Sequence, residues 1–164
     1  MIFVTIGSAV EGIEFTRLIK KMDEIAERID EEVIMQIGTA SYEPKNAKYF
    51  RYTSYQENLS YFQKASLVIG HSGTGTILNA RKFITPIIVV PRRHQYGEHV
   101  DDHQVELAHK MQRIPGIYVV YEVENLESVI KKFMGEAKMK HHLGSLQKKK
   151  KLIRTIRDFV ERRT

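Results

Sequence analysis

The chain contains no cysteine, which excludes both a disulfide framework and a thiolate metal site. No window approaches the ~20 consecutive apolar residues that a membrane span needs. The opening MIFVTIG has six apolar or small residues before its glycine and no basic start, so it does not read as a signal peptide. A reducing, cytoplasmic setting is therefore expected. There is no internal repeat and no low-complexity linker, and the small stretch 135–145 is the nearest thing to a boundary.

What is present suits one soluble domain. The chain has 164 residues, 42% hydrophobic and 28% charged, enough to bury a core. Its net charge of +6 is unevenly placed. From Lys131 onward there are 12 Lys/Arg against 3 Asp/Glu, a balance of +9; residues 1–130 carry 14 against 17, a balance of −3. A tail this basic either meets an acidic partner (membrane surface, nucleic acid or acidic protein face) or is a solvated helix face.

Strand and helix patterns alternate. Met1–Ile6, Val33–Ile37, Tyr49–Tyr52, Leu67–Ile69, Ile87–Val90 and Ile117–Tyr121 read as strands, several of them continuously apolar, as in a sheet covered on both faces. Phe15, Leu18, Ile19, Met22, Ile25 and Ile29 recur at helical spacing. Ser54, with Glu57 three residues on, predicts the start of a helix over Tyr55–Lys64. Further helices are expected to about Lys82, over Gln104–Met111, over Leu126–Met134 and, as a basic amphipathic segment, over Lys148–Arg163. The order predicts an α/β, Rossmann-like, mostly parallel sheet with helices on both faces. Ligands of such sheets bind beyond the carboxyl ends of the strands. Three polar turns fall there: Gly7–Gly12, Gly70–Thr76 and Arg92–Gln104.

The middle turn organises the chain. Leu67-Val68-Ile69 stops at Gly70, His71-Ser72-Gly73-Thr74-Gly75-Thr76 follows, and a helical pattern begins. This is neither a Walker loop nor the dinucleotide fingerprint. Small residues and hydroxyls before a helix start still suit an anion, with the dipole contributing roughly 0.3–1 kcal/mol. A plain tight turn is the other reading. His71 either contacts a phosphate or fixes the turn, and Asn79 either reaches a sugar hydroxyl or is a surface amide. The third turn gathers Arg92, Arg93, His94, Glu98, His99, Asp101, Asp102, His103 and Gln104, donors and acceptors that suit a sugar. His99 and His103 have a zinc-compatible spacing, but no third ligand is evident from sequence, and no metal is assigned.

Together, the opening FVTIGS, the segment Val68–Asn79, the strand Pro86–Pro91, the loop YGEHVDDHQ and its continuation DDHQVELA resemble the carboxy-terminal, nucleotide-sugar-binding half of glycosyltransferase family 28. Within it, they are similar to stand-alone catalytic subunits of two-part transferases of lipid-linked glycan assembly and to PssE-type exopolysaccharide subunits. The resemblance runs from Met1 to about Met134. It implies the donor half of a GT-B fold over residues 1–134, with 135–164 as a basic helical tail of the same domain. It places Gly7 and Ser8 near the donor diphosphate, Ser72–Thr76 at a second phosphate turn, and His103 and Gln104 on the donor sugar. Asn79 departs from the glutamate that many members use to hold the ribose. The resemblance implies inverting transfer from a UDP-sugar to a lipid-linked acceptor without a cofactor. The base would come from the missing half, with Glu98 and His99 as fallback candidates. It also implies a membrane-anchored, acceptor-binding partner, peripheral membrane association and no nucleic-acid role. A non-catalytic nucleotide-sugar-binding or regulatory subunit is the alternative.

Overall fold

The computed structural model describes residues 1–7, 13–137 and 154–155. Ser8, the rest of the first turn and nearly all of the basic tail lie outside them.

Six strands form one sheet: β1 (Ile2–Thr5), β2 (Val33–Gln36), β3 (Lys48–Phe50), β4 (Leu67–His71), β5 (Ile87–Val90) and β6 (Ile117–Val119). The order is β3-β2-β1-β4-β5-β6, and every pairing is parallel. Between and after them run α1 (Thr16–Ala26), α2 (Tyr55–Lys64), α3 (Thr74–Lys82), α4 (His103–Met111) and α5 (Leu126–Ala137). Short 3₁₀ turns occupy His94–Tyr96 and Val123–Asn125.

Because side chains alternate along a strand, each central strand feeds both faces. Ile2 and Val4 join Leu18, Ile19, Met22 and Ile25 of α1 and Leu126 and Ile130 of α5. Phe3, between them, joins Phe62 of α2, Ile77 and Ala80 of α3, and Leu107 and Met111 of α4. These two layers explain why the strands read as continuous apolar runs. Ser54 accepts the Glu57 amide at 3.2 Å, so the start of α2 forms as its sequence predicts. The Glu57 carboxylate, however, takes the Thr53 hydroxyl, so the capping is not reciprocal.

The structure corrects one boundary that matters for the site. The fourth strand does not stop at Gly70 but continues through His71. Gly70 pairs with Thr5 on one side and Val89 on the other. A β-carbon there would lie 2.9 Å from Thr76 Cγ2 and 3.0 Å from the Thr5 carbonyl. Glycine is required by close packing inside the strand, not by a turn.

A buried carboxylate holds the connection after β2. Asp23 of α1 is 2% exposed and accepts the Tyr42 hydroxyl at 2.7 Å, the Lys45 amide at 2.9 Å and the Asn46 amide at 2.7 Å. Burial alone would raise its pKa, but these donors outweigh it and hold the pKa below the usual value. Asp23→Ala would strand three donors. It is expected to destabilise the fold by about 2–4 kcal/mol in urea unfolding, with the m-value unchanged.

Candidate functional site

Since β1, β4 and β5 are neighbours and parallel, the loops after them emerge at one edge. Three distant segments of sequence meet there as expected.

At the centre stands His71, the last residue of β4. A β-carbon on Gly7 would lie 2.2 Å from its Cε1, and one on Gly73 would lie 2.2 Å from its Nε2. Gly7 also has φ +74°, a conformation that favours glycine. Both glycines therefore make room for one imidazole ring. Thr76, 7% exposed, sets its hydroxyl 3.4 Å from His71 Nδ1. It backs the histidine instead of facing the mouth of the site. Burial, helped by the nearby Arg92 charge, lowers the His71 pKa to about 3, against a hydrogen bond with the Thr5 backbone. The ring keeps a partly accessible edge yet is neutral at neutral pH.

The start of α3 lies beside this ring. Its N-cap is Gly73, which has no side chain to cap the first amides. Ser72 is fully buried, and its Oγ has no hydrogen-bond partner among the described residues. Gly75 is exposed, and a β-carbon there would meet nothing within 4 Å. Uncapped amides and a buried, unpartnered hydroxyl at a helix start are groups that can receive an anion. Asn79 sits half-buried two turns further along α3.

Near His71 lies a buried cation that the sequence placed only among the polar residues of the third turn. Arg92 is 3% exposed and donates to the Ile6 carbonyl at 2.7 Å, tying the end of β5 to the end of β1. Its Nε has no partner among the described residues. Burial draws its pKa down and Glu98 draws it up, yet a guanidinium stays charged. The only sequence signal was an arginine directly after an apolar strand at the ligand edge.

The third loop is exposed along much of its length, but three of its polar residues, Arg92, Glu98 and Gln104, are buried. Glu98, a candidate base, is 4% exposed. Its oxygens accept Arg17 Nε at 2.8 Å and Arg17 Nη2 at 2.9 Å, and Oε2 also accepts the Arg93 amide at 3.1 Å. Both oxygens are committed, so Glu98 anchors the loop to α1, and the base role is withdrawn from it. Gln104 is 5% exposed, and its Oε1 accepts the Arg92 amide at 3.1 Å. That oxygen ties α4 to β5, so the structure does not leave it for a donor sugar.

His99 and His103 remain at the surface of the loop, with their rings 4.3 Å apart and nearly perpendicular. Burial, with the neighbouring His103, lowers the His99 pKa, so it is neutral at pH 7. Asp101 accepts the His103 amide at 3.0 Å and pairs with both imidazoles. It is the third potential ligand that spacing alone did not reveal. A separate groove, lined by Val105, Glu106, His109, Lys110 and Tyr121, shares none of these residues.

A six-stranded parallel sheet with helices between its strands is an α/β domain of Rossmann type. The chain belongs to the glycosyltransferase family 28 C-terminal domain family, whose model matches residues 1–160. Over 73 residues it is 38% identical to the UDP-N-acetylglucosamine transferase subunit ALG13 of two Cryptococcus neoformans strains. That match covers 43% of this chain and 34% of the relative, so it spans about a third of the relative's length. Among solved structures, the glycotransferase of kitacinnamycin matches with TM-score 0.61 and 16% identity over 96% of this chain and 39% of its own. MurG of Acinetobacter baumannii matches with TM-score 0.57 and 16% identity over 80% of this chain and 40% of its own. These likenesses show the fold: the chain has the Rossmann-like architecture found in about two-fifths of each GT-B glycosyltransferase. Among the described residues no helix is long and apolar enough to cross a membrane.

The neutral His71 makes stability pH-dependent. The unfolded chain binds a proton near pH 6.5 and the folded chain only near 3, so stability falls as pH drops through this window. Between pH 7 and pH 4 the wild type is expected to lose about 3 kcal/mol more than His71→Asn, measured by urea unfolding at each pH.

Proposed function

We propose that this chain is the donor-binding catalytic subunit of a two-component inverting glycosyltransferase. It would move a sugar from a UDP-sugar, with UDP-N-acetylglucosamine the first candidate, to a lipid-linked acceptor. The observation that carries the reading is the cradle at α3: uncapped amides from Thr74 onward and the unpartnered Ser72 hydroxyl, backed by buried Arg92. Family membership supports glycosyl transfer, and the name of the Cryptococcus relative supports both the donor and a subunit role.

In this scheme the diphosphate sits against the amides of Thr74, Gly75 and Thr76, with Gly7 and Ser8 on its other side. An acceptor hydroxyl attacks the anomeric carbon from the face opposite UDP. The bond from that carbon to the diphosphate oxygen breaks, and UDP leaves with the electron pair. Negative charge grows on the leaving phosphate, where preorganised amides, the helix dipole and the Arg92 charge stabilise it. Preorganised donors of this kind are worth ~3–4 kcal/mol each in comparable oxyanion sites. The scheme assigns no step to a metal or cofactor. His71, being neutral, packs the two glycine turns together and positions the phosphates. Asn79 reaches the ribose as a neutral hydrogen-bonding group, and His103 lies toward the donor sugar.

The acceptor proton needs a base. His99 is neutral and stands at the edge of the loop, so it serves unless a partner supplies one. The partner in this reading is a membrane-anchored subunit that binds the acceptor. The basic tail, with Ile153, Ile156 and Val160 at helical spacing, would dock on it or on anionic lipid and hold the chain at the membrane periphery. One observation favours a second reading, a non-catalytic nucleotide-sugar-binding subunit. Glu98 is locked to Arg17, which leaves few side chains for base catalysis among the described residues.

Gly75 gives the cleanest test because nothing packs against it. Gly75→Val fills the space before the cradle, while valine has the better helix propensity. It is expected to weaken UDP binding more than tenfold by calorimetry, with a melting temperature at or above that of wild type. Unchanged UDP affinity in this variant would place the diphosphate elsewhere. Gly73→Val is a poorer probe, because its side chain would strike His71.

A further inference from the structure

We propose that His99, Asp101 and His103 form a binding site for a divalent transition metal of the zinc class. The nearest ligand atoms of these three side chains all lie within 4.8 Å of one another. The loop is built to keep them there. Asp101 accepts the amide of His103, the first residue of α4, at 3.0 Å. The Asp102 carbonyl accepts the Val105 amide at 2.9 Å, fixing the first turn of that helix. The Asp102 carboxylate accepts the His94 amide at 3.0 Å, and the His94 ring lies 3.2 Å from the His99 carbonyl through Nδ1. The chain on either side of the three ligands is therefore tied down before any ion arrives.

The donor set determines the class of ion. Two imidazoles and one carboxylate suit zinc, cobalt or nickel and leave a coordination position for water or another ligand. Magnesium and calcium prefer a cage of oxygens, which this cluster lacks. The arrangement differs from a plain hydrogen-bonded triad in that two imidazoles converge on one carboxylate oxygen, Asp101 Oδ1. A dication lying between the three ligand atoms would replace two contacts that compete for one oxygen with three simultaneous ones. Asp101 is half-exposed, so an ion can enter without opening the fold. An ion held here would occupy His99, so metal-loaded and base-competent forms of that residue exclude one another.

The test uses the full chain, stripped with a chelator and titrated with Zn²⁺ by calorimetry and with Co²⁺ by visible absorption. One ion is expected to bind per chain at micromolar concentration or below. His99→Ala, His103→Ala and Asp101→Asn should each weaken Zn²⁺ binding at least tenfold and change the Co²⁺ spectrum. Circular dichroism of each variant checks that α4 is intact. The chain also carries adjacent histidines in its tail, His141 and His142. Changing both to alanine should leave affinity and spectrum as in wild type. Loss of binding only in that tail variant overturns the site, as does binding that survives all three loop substitutions or a stripped chain that takes up no Zn²⁺. Displacement of Zn²⁺ by equimolar Mg²⁺ overturns the assigned class.

Discussion

One imidazole ring determines the shape of this sheet edge. His71 fills the volume where Gly7 and Gly73 would carry β-carbons, so it draws the loop after β1 and the loop after β4 onto a single side chain. The consequences follow in order. Gly73 must cap α3 without a side chain, which leaves the first amides of the helix uncapped. Ser72, squeezed between the ring and the helix start, is buried with its hydroxyl unpaired among the described residues. A larger residue at either glycine position would separate the loops. A smaller one in place of His71 would leave a void that close-packed interiors do not tolerate cheaply.

The same edge is stiffened by buried polar bonds that span long stretches of sequence. Arg92 reaches the Ile6 carbonyl, Gln104 accepts the Arg92 amide, and Glu98 accepts Nε and Nη2 of Arg17. Each is a charged or amide group with little exposure, and such groups persist only when paired. They convert a histidine-rich loop, polar by composition, into a fixed wall. This is an arrangement suited to electrostatic stabilisation, because dipoles that are already oriented need no reorganisation when charge develops.

How much of this was legible in the sequence depends on the physics behind each feature. The strands and helices were readable because apolar periodicity reports burial directly; the helix over Tyr55–Lys64 and the strand Ile87–Val90 match to the residue. That three turns share one edge followed from the parallel alternation alone. The position of Gly70 was not readable, since glycine marks a turn and a close approach equally well, and only the Thr5 and Thr76 contacts decide between them. That Glu98, a fallback candidate for the base, is bound to Arg17 was not readable, because its partner stands 81 residues earlier. Arg92 and Asp101 stood out only as polar members of the third turn, because their particular roles are set by neighbours in space, Ile6 for one and a pair of converging imidazoles for the other.

The distribution of chemistry across the edge argues for a divided task. The side nearest β1 and β4 supplies amides, a hydroxyl and a buried cation, all suited to receiving negative charge. Its one titratable ring, His71, is held neutral by burial and is packed against both glycine turns. The side nearest β5 and α4 offers the titratable groups, His99, Asp101 and His103, at partly exposed positions. In the proposed reaction a leaving diphosphate would lie against the first side, and the acceptor's proton would be handled on the second. The inverting transfer proposed above needs both, on opposite faces of the anomeric carbon, since attack and departure are then in line. Glu98 is committed to Arg17 and holds its own loop, so among the described residues the departure side carries more fixed donors than the attack side carries free bases. In the function proposed above, such an asymmetry suits a domain acting with a second, acceptor-bearing unit, because the acceptor and the group that activates it would then arrive together.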